Sequence, residues 1–274
     1  MSLFTIDNTK CKRDGVCAEE CPMGIIAFSG GDALPSPVPG ADKLCINCGH
    51  CVAVCPHGAF SLESMKIEDC PPVQSELLPG PEQVKHFLVS RRSVRTYKNQ
   101  PVERAVLAKL IDTARYAPSG HNMQPVHWLV IEDPNEVKGL SALVVDWMRF
   151  VIKERPKIAQ ALHMDRVVGS WEKGEDRITR SAPHVIVAYG LENLPVALSA
   201  CTIALTYLEL ATYSLGLGAC WAGYFSAAAA LYPPMAQALA LPEGHQCYGA
   251  MMIGYPKHRY HRVPTRKEPA VTWR

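Results

Sequence analysis

Seven of the chain's 11 cysteines fall between positions 11 and 55 of its 274 residues, and no other feature restricts the fold as tightly. The opening MSLFTIDNTKCKRDG carries no apolar stretch followed by a small-residue cleavage site, so such crowding points to metal binding rather than disulfides. One half of the array reads Cys45-x2-Cys48-x2-Cys51-x3-Cys55-Pro56. Structural zinc favours paired C-x2-C units. Three evenly spaced thiolates and a fourth before proline suit an iron–sulfur cubane better. The three close thiolates wrap one cluster while their turn aims backbone amides at its sulfurs, and the fourth serves a neighbouring cluster.

The other half reads Cys11-x5-Cys17-x3-Cys21-Pro22. Laid over the first pattern, Cys11, Cys17 and Cys21 match Cys45, Cys51 and Cys55, and Asp14 stands where Cys48 would be. Together the halves resemble a bacterial two-cluster ferredoxin over about the first quarter of the chain. That resemblance implies one [4Fe-4S] cluster on Cys45, Cys48, Cys51 and Cys21. A second cluster falls to Cys11, Cys17 and Cys55, with Asp14 as a candidate fourth ligand. A carboxylate is a harder donor than a thiolate, so this second cluster is expected to be [4Fe-4S] with one labile iron, or [3Fe-4S]. The alternative is that Asp14 is a turn residue beside Gly15.

Hydrophobic residues make up 48% of the chain and charged residues 20%, enough for a sizeable core. A net charge of +2 lacks the basic excess of a nucleic-acid binder. Alanine-rich and apolar stretches are interrupted by Glu209 and by Pro233-Pro234, so no membrane-spanning run is expected, and a cytoplasmic location follows. The expected organisation is a ferredoxin-type domain over 1–65, a proline-rich linker over 66–80 and a second domain over 81–274. Within that domain helices are expected over 101–117, 139–155, 158–168 and 195–215, and strands over 126–132, 183–189 and 247–254. A glycine-rich turn over 216–224 should enter a further strand, and 139–180 is a candidate lid.

RRSVR at 91–95 supplies three guanidinium forks and a hydroxyl suited to a phosphate. PSGHNMQP at 118–125, GLGACWAGY at 216–224, IGYP at 253–256 and RVPTRK at 262–267 follow in that order. These segments resemble the FMN-dependent nitroreductase family from about residue 81 onward. The resemblance implies an α+β fold, with a central mixed or antiparallel sheet and helices, and a homodimer that binds FMN at its interface. Carried onto matching positions, Arg91, Arg92 and Ser93 hold the phosphate and ribityl chain, and Arg95 approaches the N1/O2 edge. Pro118, Ser119 and Asn122 reach over from the partner subunit, with Gln124 nearby. Ala222, Gly223 and Tyr224 present backbone near N5 and O4. Arg266 and Lys267 close on the phosphate, or Arg262 serves instead.

Cys201, Cys220 and Cys247 sit in apolar surroundings and read as small core side chains, and Cys70 as a linker thiol. His121 and His127 read as local hydrogen-bonding residues. Trp147 and Phe150 either cap a pocket or pack a helix face. No side chain is singled out as catalytic.

The parts imply an oxidoreductase that gathers single electrons and delivers them in pairs to an electron-poor small molecule such as a nitroaromatic or a quinone. The donor is ferredoxin or a similar low-potential carrier. NAD(P)H acting directly is the alternative, and no G-x-G-x-x-G unit marks a separate nicotinamide domain. An electron-transfer or redox-sensing module without its own substrate is the third expectation.

Overall fold

The computed structural model describes residues 3–274. The chain divides into two compact units, one running up to Pro79 and including His121–Met123, the other made of Gly80–Gly120 and Gln124–Arg274.

The first unit is built twice from one turn. Strand β1 (Phe4–Ile6) leads into α1 (Val16–Glu19), and the short strands β2 (Ile26–Ala27) and β3 (Ser36–Pro37) form a hairpin. The helical turns α2 (Ala41–Leu44) and α3 (His50–Ala53) follow, and β4 (Phe60–Leu62) closes back on β1, with Phe4 opposite Leu62. Before α1, Arg13 and Gly15 both take left-handed backbone. Before α3, Asn47 and Gly49 do the same. Beyond each cysteine–proline pair lies another left-handed glycine, Gly24 in one half and Gly58 in the other. Glycine carries these angles without steric cost, so the repeat seen in cysteine spacing is also a repeat of backbone. Phe4, Ile25, Ile26, Val52, Phe60 and Leu62 make the small core, together with Cys17 and Cys51.

The second unit contains α4 (Pro81–Ser90), α5 (Arg104–Ala114), β5 (His127–Ile131), α6 (Pro134–Glu154), α7 (Pro156–Ala161) and α8 (Met164–Glu172). After these come β6 (His184–Leu191), α9 (Ala197–Ser214), β7 (Gly218–Trp221), α10 (Gly223–Leu231), α11 (Pro233–Ala238) and β8 (His245–Gly254). The four strands form one antiparallel sheet in the order β5-β6-β8-β7. Its central strands, β6 and β8, are buried on both faces, which is why they read as continuous apolar runs. One face carries α6 and α10, with Val144, Val145, Met148 and Phe225 fully buried. The other carries α5 and α9, with Leu110, Cys201, Leu205 and Leu208 buried.

Two helix expectations needed correction. The helix expected over 139–155 begins at Pro134, because Asp133 accepts the Asn135 amide as N-cap and proline is preorganised for the first turn. The helix expected over 158–168 is two, broken where His163 takes φ 52°. The stretch 139–180 supplies α6 to the core. Trp147 is buried there, and Phe150 on the same helix is exposed. No helix among the described residues is long and apolar enough to cross a membrane.

Candidate functional site

Two cavities in the first unit sort the cysteines. Cys45, Cys48 and Cys51 line one of them together with Cys21, which arrives from the other half of the repeat. Cys11, Asp14 and Cys17 line the second together with Cys55, again from the other half. The remaining walls are mainly apolar and include Phe4, Ile25 and Leu62 in the first and Ile6, Pro35 and Phe60 in the second. A soft, thiolate-rich donor set inside an apolar shell fits an iron–sulfur cluster. The Ala59 amide already donates to Cys55 Sγ at 3.3 Å. Burial pushes the Cys51 thiol up to about 12 and raises that of Cys17, and a thiol ligates iron only as the thiolate.

Asp14 occupies the backbone position that Cys48 holds in the other half, after a left-handed residue and before a left-handed glycine. Its Oδ1 accepts the Val16 amide at 3.3 Å, while Oδ2 lies 3.8 Å from His57 Nε2. His57 itself lines the cavity at the position that Met23 takes in the first. Sequence spacing found Asp14 but missed His57, although both follow from overlaying the two halves.

The second unit's principal cavity, of about 560 Å³, is built where RRSVR meets the sheet. Val94 donates its amide to the Ala219 carbonyl at 2.9 Å, laying the segment along β7. The approach is close, because a Cβ on Gly218 would come within 2.7 Å of Val94 Cβ. On its far side the segment is stitched to the chain beyond β8. Lys98 donates to the Tyr255 carbonyl at 2.8 Å, Lys257 to that of Thr96 at 3.0 Å, and Tyr260 Oη to that of Ser93 at 3.4 Å. Arg91, Arg92, Arg259 and Arg262 line the cavity with the backbone of Gly216–Ala219. Four guanidinium groups give the cavity a cationic lining of the chemistry that suits a phosphate. Glu209 is its one carboxylate. It lies on α9, almost fully buried, and receives Arg91 Nη1 at 2.7 Å.

Of the other expected cofactor residues, Ser93 is not in the cavity lining and accepts Tyr260 Oη through its carbonyl, and Arg95 is solvent-exposed. Arg262 lines the cavity, whereas Arg266 and Lys267 lie farther along an exposed tail. Ala222 ends β7's extension by donating to the Ala250 carbonyl, and Gly223 and Tyr224 open α10. Tyr224 Oη donates to the Leu162 carbonyl. Pro118 and Ser119 follow α5, and Ser119 Oγ accepts the Gln124 amide. Asn122 belongs to the first unit, where Nδ2 donates to the Ile46 and Asn47 carbonyls. Burial raises the Cys220 thiol on β7, while the charges of Arg95 and Arg180 pull it down. Nothing local in the sequence singled out Arg180 or Glu209.

A nitroreductase family profile matches residues 88–255, and a 4Fe-4S dicluster profile matches residues 9–60. The chain belongs to the nitroreductase family. This nitroreductase is a flavin-dependent oxidoreductase with a 4Fe-4S dicluster domain ahead of its reductase fold. It is 29% identical to an NADH dehydrogenase of Thermus thermophilus, over 69% of this chain and 95% of that protein. It is 24% identical to a putative NADH dehydrogenase/NAD(P)H nitroreductase of Archaeoglobus fulgidus, over 64% and 87%. A nitroreductase with bound FMN from Bacteroides fragilis shares the fold at TM-score 0.57 and 22% identity, covering 69% of this chain and 97% of that one.

Proposed function

We propose that this nitroreductase takes single electrons from ferredoxin or a similar low-potential carrier through two iron–sulfur clusters, passes them to FMN, and reduces an electron-poor small molecule. The observation that carries this reading is the pair of cavities, each ringed by one complete expected ligand set, in a chain whose second unit has the nitroreductase fold. Clusters exchange electrons one at a time, and FMN supplies the conversion to two-electron chemistry.

The protein's part is to hold and tune. Cys21, Cys45, Cys48 and Cys51 hold a [4Fe-4S] cluster, and Cys11, Cys17 and Cys55 hold the second, with Asp14 at its fourth corner. Arg91, Arg92, Ser93 and Arg262 hold the FMN phosphate and ribityl chain. Arg95 places positive charge where the reduced cofactor is anionic. The backbone of Ala222, Gly223 and Tyr224 borders the reacting edge. Pro118, Ser119 and Gln124 complete the site from a second subunit. Exposed Leu198, Tyr207 and Tyr213 on α9 support a dimer through that helix.

Relatives that carry the names NADH dehydrogenase and NAD(P)H nitroreductase favour a second reading, in which NAD(P)H reduces the flavin directly. Anaerobic stopped-flow absorbance separates the two. Rapid flavin bleaching by reduced ferredoxin, with slow or no bleaching by NADH and NADPH, is expected. Rapid bleaching by a nicotinamide alone overturns the proposed donor.

A further inference from the structure

We propose that Glu209 is the positioning residue of the flavin cradle: it fixes the Arg91 guanidinium so that its remaining donors face the cofactor phosphate. This deepens the FMN reading above and rests on it.

Apart from Thr212, the packed side of α9 is otherwise apolar, contributing Ala197, Ala200, Cys201, Ala204, Leu205 and Leu208 to the interior. A carboxylate among them is costly to desolvate, and an apolar residue of similar size would serve packing better. Glu209 is kept nonetheless, with its side chain 9% exposed and its Oε1 2.7 Å from Arg91 Nη1. Both residues line the same cavity, together with Thr212, whose hydroxyl donates to the Glu209 carbonyl at 2.6 Å and sits on the same helical turn. Arginine has five donors in a rigid fork. One Nη1 hydrogen bond to a rigid helix orients that fork and leaves the rest to be shared with an anion.

Two effects of Glu209 oppose each other. Its charge repels a phosphate, and its contact with Arg91 orients a cation toward one. At 2.7 Å the Arg91 charge is the nearest to the carboxylate and offsets most of its field, so orientation wins. Arg92, Arg259 and Arg262 leave the cavity in cationic excess besides.

The test is fluorescence titration of the full-length, flavin-depleted protein with FMN and with riboflavin, which lacks the phosphate. In Glu209→Ala, FMN affinity is expected to fall about tenfold, equivalent to about 1.4 kcal/mol, with riboflavin affinity unchanged. Glu209→Gln keeps an oxygen acceptor for Nη1 and is expected to recover most of the loss. In an Arg91→Ala background, Glu209→Ala should add nothing, since the two act through one contact. The Arg91 side chain stays 27% exposed, so water can satisfy it when Glu209 is removed and the fold is retained. Equal loss of FMN and riboflavin means a merely structural role and overturns the proposal. Tighter FMN binding in both Glu209 variants means repulsion dominates and also overturns it. A wild-type protein that binds neither flavin refutes the FMN reading itself.

Discussion

Asp14 shares its backbone turn with Cys48 but not its chemistry. Left-handed Arg13 and Gly15 place it where left-handed Asn47 and Gly49 place the thiolate, so Asp14→Cys should insert a sulfur without moving the chain. The expected outcome is that the EPR signal of the cluster on Cys11, Cys17 and Cys55 converts to that of an ordinary four-thiolate [4Fe-4S] centre. An unchanged signal would mean that the carboxylate does not ligate iron. His184 offers a different test. Its Nε2 accepts the Val102 amide at 2.7 Å and its Nδ1 donates to the Glu132 carbonyl at 2.9 Å, so the folded protein holds it neutral. Burial lowers its pKa below the usual 6.5, with the Glu132 carbonyl opposing. Below pH 6.5 the unfolded chain therefore binds this proton more readily than the folded one. The stabilisation is fully present above that pH and is lost as pH falls through the lower, folded value. Melting temperature measured against pH should drop more steeply on the acid side for wild type than for His184→Gln. The sorting of the cysteines between two cavities was legible because their spacing is local. Glu209 was not, because its partner Arg91 lies 118 positions away.

At the scale of elements, the strands and α9 were legible from apolar run length, and the RRSVR segment from its clustered donors. The path of the tail was not legible, since tertiary stitching of Pro256 and Lys257 to Tyr97 and Thr96 decides which basic residue lines the cavity. The break between α7 and α8 was equally hidden, because His163 adopts a left-handed angle with no glycine to announce it. The contact between β7 and the segment before it is tight enough to test. Gly218→Val would drive its Cβ into Val94 and push RRSVR off the strand. Overpacking of this kind costs about 1–3 kcal/mol, less than most domains' total stability. The variant should therefore fold yet release its flavin on gel filtration, read as the absorbance ratio of flavin to protein.

Over the whole molecule, the two units differ in how they are held. The second has two extensive apolar clusters, one on each face of its sheet. The first has one small cluster, and two of its buried members are the cysteines Cys17 and Cys51. Metal bound in a fold with so small a core contributes folding free energy directly. Anaerobic iron removal with a chelator should make the chain up to Pro79 sensitive to limited proteolysis while the fragment beyond it persists. Equal resistance of both, followed by gel electrophoresis, would count against a structural role for iron.

Cys21 and Cys55 each leave their own half of the repeat to line the cavity of the other. The halves are thus clasped, each lending a finger to its neighbour's grip. Filling either cage ties Cys21 or Cys55 across the repeat and so holds the two halves in the arrangement that the opposite cage also requires, so the second metal centre should assemble more readily than the first. Native mass spectra taken during reconstitution would then show chiefly empty and doubly loaded chains, with few caught between.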